Sequence, residues 1–183
     1  HQGWRVHFEV TKDLGKTWQV IGPIHEATKF NAIQPSILSY GEGTLQILCR
    51  TRESVIGQAW SKDNGKTWSE VTATELPNPS AGTDAVTLAD GRQLLVYNHT
   101  TRGIAFPSSR NMLNVAVSKD GKAWHAALVL ERDRNEFSYP AVIQTSDGKV
   151  HITYTWKRQS VKHVVVDVDK LKLMPIEDGK WPQ

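Results

Sequence analysis

A turn motif that occurs three times constrains the fold of this chain more than any other feature. It reads TKDLGKTW at 11–18, SKDNGKTW at 61–68 and, one residue shorter, SKDGKAW at 118–124. The aspartates of the three copies lie 50 and 57 residues apart, a period in the range of β-propeller blades. We therefore predict a fold built from repeated units of about this length.

The residue types in the motif predict a β-hairpin turn with a structural role. Ser or Thr and Asp supply acceptors for the N–H groups of the turn, Gly takes the positive φ, and Trp is expected to pack beneath. The residues to which we assign this role are Asp13, Trp18, Asp63, Trp68, Asp120 and Trp124.

A second repeat of hairpins lies between these turns. Residues 35–48, 84–97 and 140–154 each contain two runs of β-forming residues around a glycine-containing turn. The sequence contains no convincing helix, so the predicted class is all-β.

In chain order, the two repeats divide the sequence into four units. These are the end of a blade at 1–24, complete four-stranded blades at 31–75 and 81–131, and a last blade at 137–175 with three clear strands. Three and a half blades cannot close a propeller ring, which takes 4–8. We expect this chain to be the C-terminal half of a larger propeller, or two such chains to complete one ring.

Composition and spacing exclude several function classes. The net charge of +3 is spread without a block of like charge, which argues against nucleic acid as a partner. The longest apolar run, 126–130, is far shorter than the roughly 20 residues of a membrane-spanning helix. Cys49 stands alone, and no metal-ligand spacing or phosphate-binding glycine motif is present, so we predict no metal and no cofactor.

Strand order predicts which face of the propeller carries chemistry. The Asp turns, between third and fourth strands, lie on one face; the start of the first strand and the end of the second lie on the other. Gln34 and Tyr139 open first strands there, as Thr83 does, and antiparallel pairing about the first hairpin places Gln34 beside Arg50. The side chains expected to bind substrate at this funnel are Arg50, Asn98, His99, Arg110 and Arg158. Several arginines around one funnel suit a ligand with a carboxylate, which guanidinium binds bidentately.

These motifs resemble the sialidase (neuraminidase) superfamily of proteins with BNR or Asp-box repeats. The resemblance covers nearly all of the chain and implies the latter part of a six-bladed sialidase propeller. It also implies a site in which three arginines hold the carboxylate of sialic acid, a Tyr paired with a Glu is the nucleophile, and an Asp is the acid/base. A tyrosine nucleophile departs from the usual two-carboxylate glycosidase scheme.

By this resemblance, individual residues take individual roles. Arg50, which ends a strand after Cys49, matches the second arginine of the family, and Arg110 matches the third. Tyr139 matches the nucleophile, whereas the position of its partner Glu holds Gln34. The first arginine and the acid/base Asp belong to an N-terminal region that this sequence does not contain.

Gln34 changes the expected chemistry, because a neutral amide cannot take up the proton of a phenol whose usual pKa is about 10. Another carboxylate, Glu136 or Glu53, or the field of the arginines would have to activate Tyr139. The substitution is compatible with a different sugar, a different mechanism or no catalysis.

The resulting expectation is a sialidase-like glycoside hydrolase acting on a terminal acidic sugar such as sialic acid, with a glycan or sialoside as its substrate. The alternatives are a hydrolase or lyase for another glycan, of rhamnose or uronate type, and a non-catalytic carbohydrate-binding propeller. By resemblance only, the protein would be secreted or periplasmic.

Overall fold

The chain forms a stack of antiparallel β-sheets that follow one another in sequence order. A computed structural model describes residues 3–103 and 109–183. The all-β prediction is confirmed, and the one helical element in these residues is a 3₁₀ turn at Val168–Lys170. Among the same residues, no helix is long and apolar enough to cross a membrane.

The first two sheets contain six strands. A two-stranded sheet pairs β1 (Phe8–Val10) with β2 (Gln19–Ile21) around the first Asp turn. The second sheet has four strands in the order of the chain: β3 (Ala32–Ser39), β4 (Leu45–Thr51), β5 (Val55–Ser61) and β6 (Thr72–Pro77).

The third and fourth sheets contain the other strands. The third holds β7 (Asp84–Thr87), β8 (Gln93–Tyr97), β9 (Met112–Ser118) and β10 (Trp124–Arg132). The fourth holds β11 (Phe137–Gln144), β12 (Val150–Trp156) and β13 (Ser160–Val166).

The C-terminal segment departs from the predicted last unit, 137–175. Its strand β14 (Met174–Pro175) pairs with β10, with Pro175 opposite His125, and therefore joins the third sheet as a fifth strand. Ile176 extends this contact, since its N–H donates to the carbonyl oxygen of Trp124 at 3.0 Å and its side chain is buried. The chain thus returns from the fourth sheet to cover the outer edge of the third.

Three apolar clusters fill the spaces between successive sheets. Strand β8 shows how one strand serves two of them: Leu94 and Val96 face the fourth sheet, and Leu95 and Tyr97 face the second. Side chains alternate between the two faces of a strand, so a strand buried on both sides has a continuous apolar sequence. The third cluster, which includes Ile47, packs the second sheet on the first.

The Asp turns have the geometry that their sequence predicts. At the second turn, one carboxylate oxygen of Asp63 accepts from the Ser61 hydroxyl at 2.8 Å and the Thr67 N–H at 2.9 Å. The other oxygen accepts from the Thr67 hydroxyl at 2.7 Å. Gly65 has φ +80°, the left-handed conformation that glycine adopts at little cost. Asp13 repeats this pattern, and Asp120 binds two turn N–H groups in the shorter copy.

The three motif tryptophans are buried to different extents. Trp124 is 1% exposed and belongs to the cluster between the second and third sheets, and Trp68 stacks on Phe8 with ring centroids 4.9 Å apart. Trp18 also packs on its own turn, where its Nε1 donates to the carbonyl oxygen of Gly15 at 3.1 Å, but it is 58% exposed. It lies on the outermost sheet, and no further sheet of the described residues covers that side.

We predict that the Asp63 carboxylate stabilises the fold fully above about pH 4 and progressively less as the pH falls towards 2. The hydroxyl and then the N–H of Thr67 lower its pKa from 3.8 to about 2, so the folded state favours the charged form. This contribution is present above the unfolded-state pKa and is lost as the pH falls through the folded-state value. Melting temperatures measured between pH 7 and pH 2 should therefore fall more steeply for the wild type than for Asp63→Asn. Thr67→Val, which removes one donor, should lie between them; identical pH profiles for all three proteins would contradict the assignment.

Candidate functional site

Two innermost strands begin with the same unusual backbone conformation. Gln34 and Tyr139 have φ of +55° and +52°, and each precedes a proline. Both interrupt the pairing of their strand, which shifts register between Ile33 and Ser36 in one sheet and between Ser138 and Ala141 in the other. A β-bulge re-aims the side chain it carries, and left-handed non-glycine residues cost about 1–3 kcal/mol each and cluster at functional sites.

The side chains of these two residues meet across Gly82, in the loop before β7. A methyl group on Gly82 would lie 3.0 Å from Cδ1 of Tyr139 and 3.7 Å from Oε1 of Gln34. The two side chains line a cleft of about 250 Å³ together with Ser36 and Thr83. Thr83 is buried, and its hydroxyl has no hydrogen-bond partner among the described residues. The wall of the cleft therefore contains a buried polar group whose hydrogen-bonding capacity no described residue uses.

Arg50 contacts Gln34, as the sequence predicts, but through the side chains alone. Its Nη1 donates to Oε1 of Gln34 at 3.4 Å. In the ladder the partner of Arg50 is Ile33 rather than Gln34, because the bulge inserts an extra residue there. Nε of Arg50 is buried without a hydrogen-bond partner among the residues that the structure describes.

Arg110 lies on the other side of Tyr139. Its Cζ is 5.4 Å from the centroid of the Tyr139 ring, the geometry of a cation–π contact. Nη1 lies 3.3 Å from Oε1 of Glu136, and Nη2 donates to the carbonyl oxygen of Ser80 at 3.4 Å. The guanidinium is therefore held from two sides against the phenol ring.

The two arginines favour the ionised form of Tyr139. Hydrogen bonds from Arg110 and then from Arg50 lower the pKa of this phenol, and their positive charges add to the effect. The other tyrosines behave in the opposite way, because burial raises the pKa of Tyr40, Tyr97 and Tyr154. The influence on the pKa of Tyr139 therefore comes from the two arginines and not from a nearby carboxylate.

The two carboxylates considered as replacements for a Glu at position 34 bind other groups. Glu136 lies between Arg110 and Arg158, whose Nε is 2.9 Å from its Oε2, and it also accepts from the Ser138 hydroxyl. Burial raises the pKa of Glu136, but the hydrogen bonds from Ser138 and Arg158 and the arginine charges outweigh it and lower the pKa overall. Glu53 accepts from both the N–H and Nδ2 of Asn31. Glu136 thus acts on the site through Arg110.

Asn98 and His99 hold the fold rather than line the cleft, which corrects their predicted role in substrate binding. Asn98 is fully buried, and its Nδ2 donates to the carbonyl oxygens of Met112 and Phe137 at 2.8 Å each. His99 is 7% exposed and hydrogen-bonds the hydroxyl of Tyr97, and burial lowers its pKa to about 4. The sequence placed both residues at a strand end but could not show that their side chains turn inward.

Arg158 and Trp4 complete the surroundings. The Arg158 side chain is 71% exposed and reaches the site through Glu136. The ring of Trp4 packs against the guanidinium groups of Arg50 and Arg52 at 5.1 and 4.2 Å. It precedes the first strand in a segment without a repeat signal, so no sequence pattern pointed to it.

A second residue missed from the sequence is Asp84, the first residue of β7. Its Oδ1 accepts from the Ser36 hydroxyl on β3 and its Oδ2 accepts from the Val142 N–H on β11, at 2.9 and 2.8 Å. Oδ1 also accepts from the N–H of Ala85 at 2.9 Å. One carboxylate thus connects the innermost strands of three successive sheets.

Comparison with known families places the chain in one of them. The family model for the BNR repeat-like domain matches residues 1–152. The chain belongs to this BNR repeat-like family. No curated protein matches the sequence significantly.

The solved structures similar to this BNR domain include sialidases. The NanB sialidase of Streptococcus pneumoniae aligns with a TM-score of 0.71 at 16% identity, over 94% of this chain and 29% of that one. The intramolecular trans-sialidase of Ruminococcus gnavus gives 0.69 at 20% identity, over 92% and 39%. Trypanosoma rangeli sialidase, solved with sialic acid, gives 0.63 at 20% identity, over 86% and 26%. The fold is thus that of a sialidase-type propeller, and this BNR domain spans well under half of each of these chains.

We predict that Tyr139 ionises at lower pH than the other three tyrosines of this sequence. Phenolate absorbance near 295 nm, recorded against pH for the full polypeptide and for Tyr139→Phe, isolates the Tyr139 component by difference. Arg110→Met should move that component to higher pH, because it removes the main hydrogen-bond donor. Arg92→Met, an arginine paired with Asp90 in the β7–β8 turn, is the matched control and should leave it in place. A Tyr139 component unmoved by Arg110→Met would contradict the assignment.

Proposed function

We propose that this BNR domain is part of a larger propeller with sialidase-like glycosidase activity on a terminal acidic sugar. The observation that carries the proposal is the position of Arg50 and Arg110, which flank Tyr139 and favour its ionised form. The Trypanosoma rangeli sialidase of similar fold was solved with sialic acid, which makes a sialoside the first substrate to test.

In this proposal the arginines bind the carboxylate of the sugar. Guanidinium groups pair with carboxylates through two parallel N–H···O bonds, and pairing in a partly buried site is stronger than in water. Arg110 has 18% of its side chain exposed, and Glu136 fixes its direction. Nε of Arg50 and the Thr83 hydroxyl add hydrogen-bonding capacity that no described residue uses.

The proposed role of Tyr139 is nucleophilic. As a phenolate, whose proton has passed to solvent, its oxygen forms a bond to the anomeric carbon while the bond to the leaving oxygen breaks, through an oxocarbenium-like transition state. Water then attacks the anomeric carbon, the bond to the tyrosine oxygen breaks, and the sugar is released. Tyr139 is 50% exposed, which leaves its side chain open to a ligand in the cleft. Arg110 and Arg50 supply the stabilisation of the phenolate that Gln34 cannot supply, and the proton for the leaving oxygen comes from an acid elsewhere in the complete ring.

Gln34 favours the alternative functions. Its Oε1 accepts from Arg50, so the amide orients an arginine but takes up no proton. A hydrolase or lyase acting on a rhamnose- or uronate-containing glycan would leave sialosides intact and cleave those polysaccharides. A carbohydrate-binding propeller without catalysis would bind glycans and turn over none.

We also propose that further sheets cover both ends of this stack, either from the rest of a longer polypeptide or from a second chain. The outer face of the fourth sheet exposes Ile143 by 60%, Val161 by 74% and Val165 by 53%. At the other end Trp18 and Val20 are exposed by 58% and 63%. Exposed apolar patches on a protein surface mark interaction sites, and the 29% of NanB that the domain spans leaves room for the rest of a ring.

For catalysis, we predict that Tyr139→Phe in the full polypeptide lowers kcat for release of a reporter from a sialoside by about 1,000-fold or more, because it removes the nucleophile. Arg110→Met should raise KM by roughly 30-fold or more, since removing one partner of a desolvated charge pair costs about 2 kcal/mol or more. Arg92→Met serves as the control with unchanged kinetics. Normal turnover by Tyr139→Phe would rule out the mechanism, and activity on rhamnose- or uronate-containing glycans alone would favour the alternative.

For ring closure, we predict that Val161→Asp and Val20→Asp each destabilise the full polypeptide by about 1–3 kcal/mol, because each buries an unpaired carboxylate. Leu14→Asp is the matched control: Leu14 is 102% exposed at the tip of the first Asp turn, and Asp tolerates its left-handed conformation. Denaturant unfolding of the three variants measures the difference. Equally small effects at all three positions would mean that both sheet faces are solvent-exposed in the full polypeptide.

A further inference from the structure

The two bulges that carry Gln34 and Tyr139 share one anchor. Asp84 accepts from the Ser36 hydroxyl two residues after Gln34 and from the Val142 N–H three residues after Tyr139. Both bonds lie within normal hydrogen-bond distance. The carboxylate therefore links the strand segments that follow the two bulges.

The bulges need such an anchor, because their backbone conformation is intrinsically unfavourable. Left-handed non-glycine residues persist only where the surroundings over-determine them. Each bulge also leaves its strand locally unpaired, between Ile33 and Ser36 and between Ser138 and Ala141. The Asp84 bonds lie at Ser36, where pairing of β3 resumes, and at Val142, one residue after it resumes on β11. They therefore hold the strand segments that directly follow the two bulges.

We propose that Asp84 is a positioning residue, whose carboxylate holds the two bulges so that Gln34 and Tyr139 face each other across Gly82 beside Arg50 and Arg110. The importance of Asp84 for turnover rests on the proposed function, whereas its role in placing Tyr139 is independent of that function. Asp84 itself also lines the cleft, and its two oxygens are bound to Ser36, Ala85 and Val142.

The sign of the effect on Tyr139 separates positioning from simple electrostatics. Removing a negative charge near a phenol favours the phenolate and moves its titration to lower pH. Loss of positioning lets the Tyr139 ring move away from the arginines and moves the titration to higher pH. The two explanations therefore predict shifts in opposite directions.

The test uses the full polypeptide and the phenolate absorbance of Tyr139, isolated by subtracting the Tyr139→Phe titration made in the same background. Asp84→Asn is isosteric and keeps an oxygen for Ser36 and Ala85, but it sets an N–H₂ group against the Val142 N–H. Asp84→Ala removes all three acceptor contacts. We expect the Tyr139 titration to move to higher pH in both variants, and further in Asp84→Ala.

Asp63→Asn is the matched control, since it removes a structural carboxylate on the opposite face and should leave the Tyr139 titration unchanged. Circular dichroism establishes that each variant is folded, and Asp84→Asn keeps the test available if Asp84→Ala does not fold. A folded Asp84→Asn protein whose Tyr139 titration is unchanged, or moves to lower pH, overturns the proposal.

Kinetics provide a separate result. If the wild type turns over a sialoside, Asp84→Asn should lower kcat by more than it raises KM, because the arginines that bind the carboxylate remain. Absence of turnover by the wild type would count against the proposed function. The Tyr139 titration would still decide whether Asp84 positions Tyr139. The failure of either proposal is therefore recognised independently.

Discussion

The carboxylate of Asp84 is the point at which three sheets of this protein are joined closest to the site. Apolar packing sets the sheets side by side, but it does not determine where a strained bulge projects its side chain. The hydrogen bonds to Ser36 and Val142 do so for the segments behind Gln34 and Tyr139. The hydrogen bonds of the Asp84 carboxylate thus supply a direction that the apolar packing between the sheets does not.

The site built on this frame differs in chemistry from a tyrosine paired with a carboxylate. Gln34 is bound to Arg50, and the carboxylate of Glu136 is bound to Arg110 and Arg158. The positive charge of two arginines, and not a neighbouring base, therefore favours the ionised form of Tyr139. The same two arginines would also pair with a ligand carboxylate, so substrate binding and phenolate stabilisation draw on the same groups.

The sequence predicts much of the fold, because it is repetitive at two levels. The Asp turns and the hairpins between them set the strand order, and with it the shared funnel of Gln34, Arg50 and Tyr139. The sequence does not predict the features that depend on side-chain direction or on long-range contacts. Asn98 and His99 turn into the core, Trp4 reaches Arg50 from a segment without a pattern, and the register at Ile33 is displaced by a bulge. Asp84 looked like an ordinary strand residue, since its partners lie 48 and 58 residues away.

A calorimetric comparison of two ligands tests whether the arginines beside Tyr139 bind a sugar carboxylate. The full polypeptide is titrated with sialic acid and with its methyl ester, which has the same ring but no charge at the carboxyl group. Binding through Arg50 and Arg110 predicts that the acid binds roughly 30-fold tighter or more. Equal affinities for the acid and the ester, or no binding of the acid, would contradict the account.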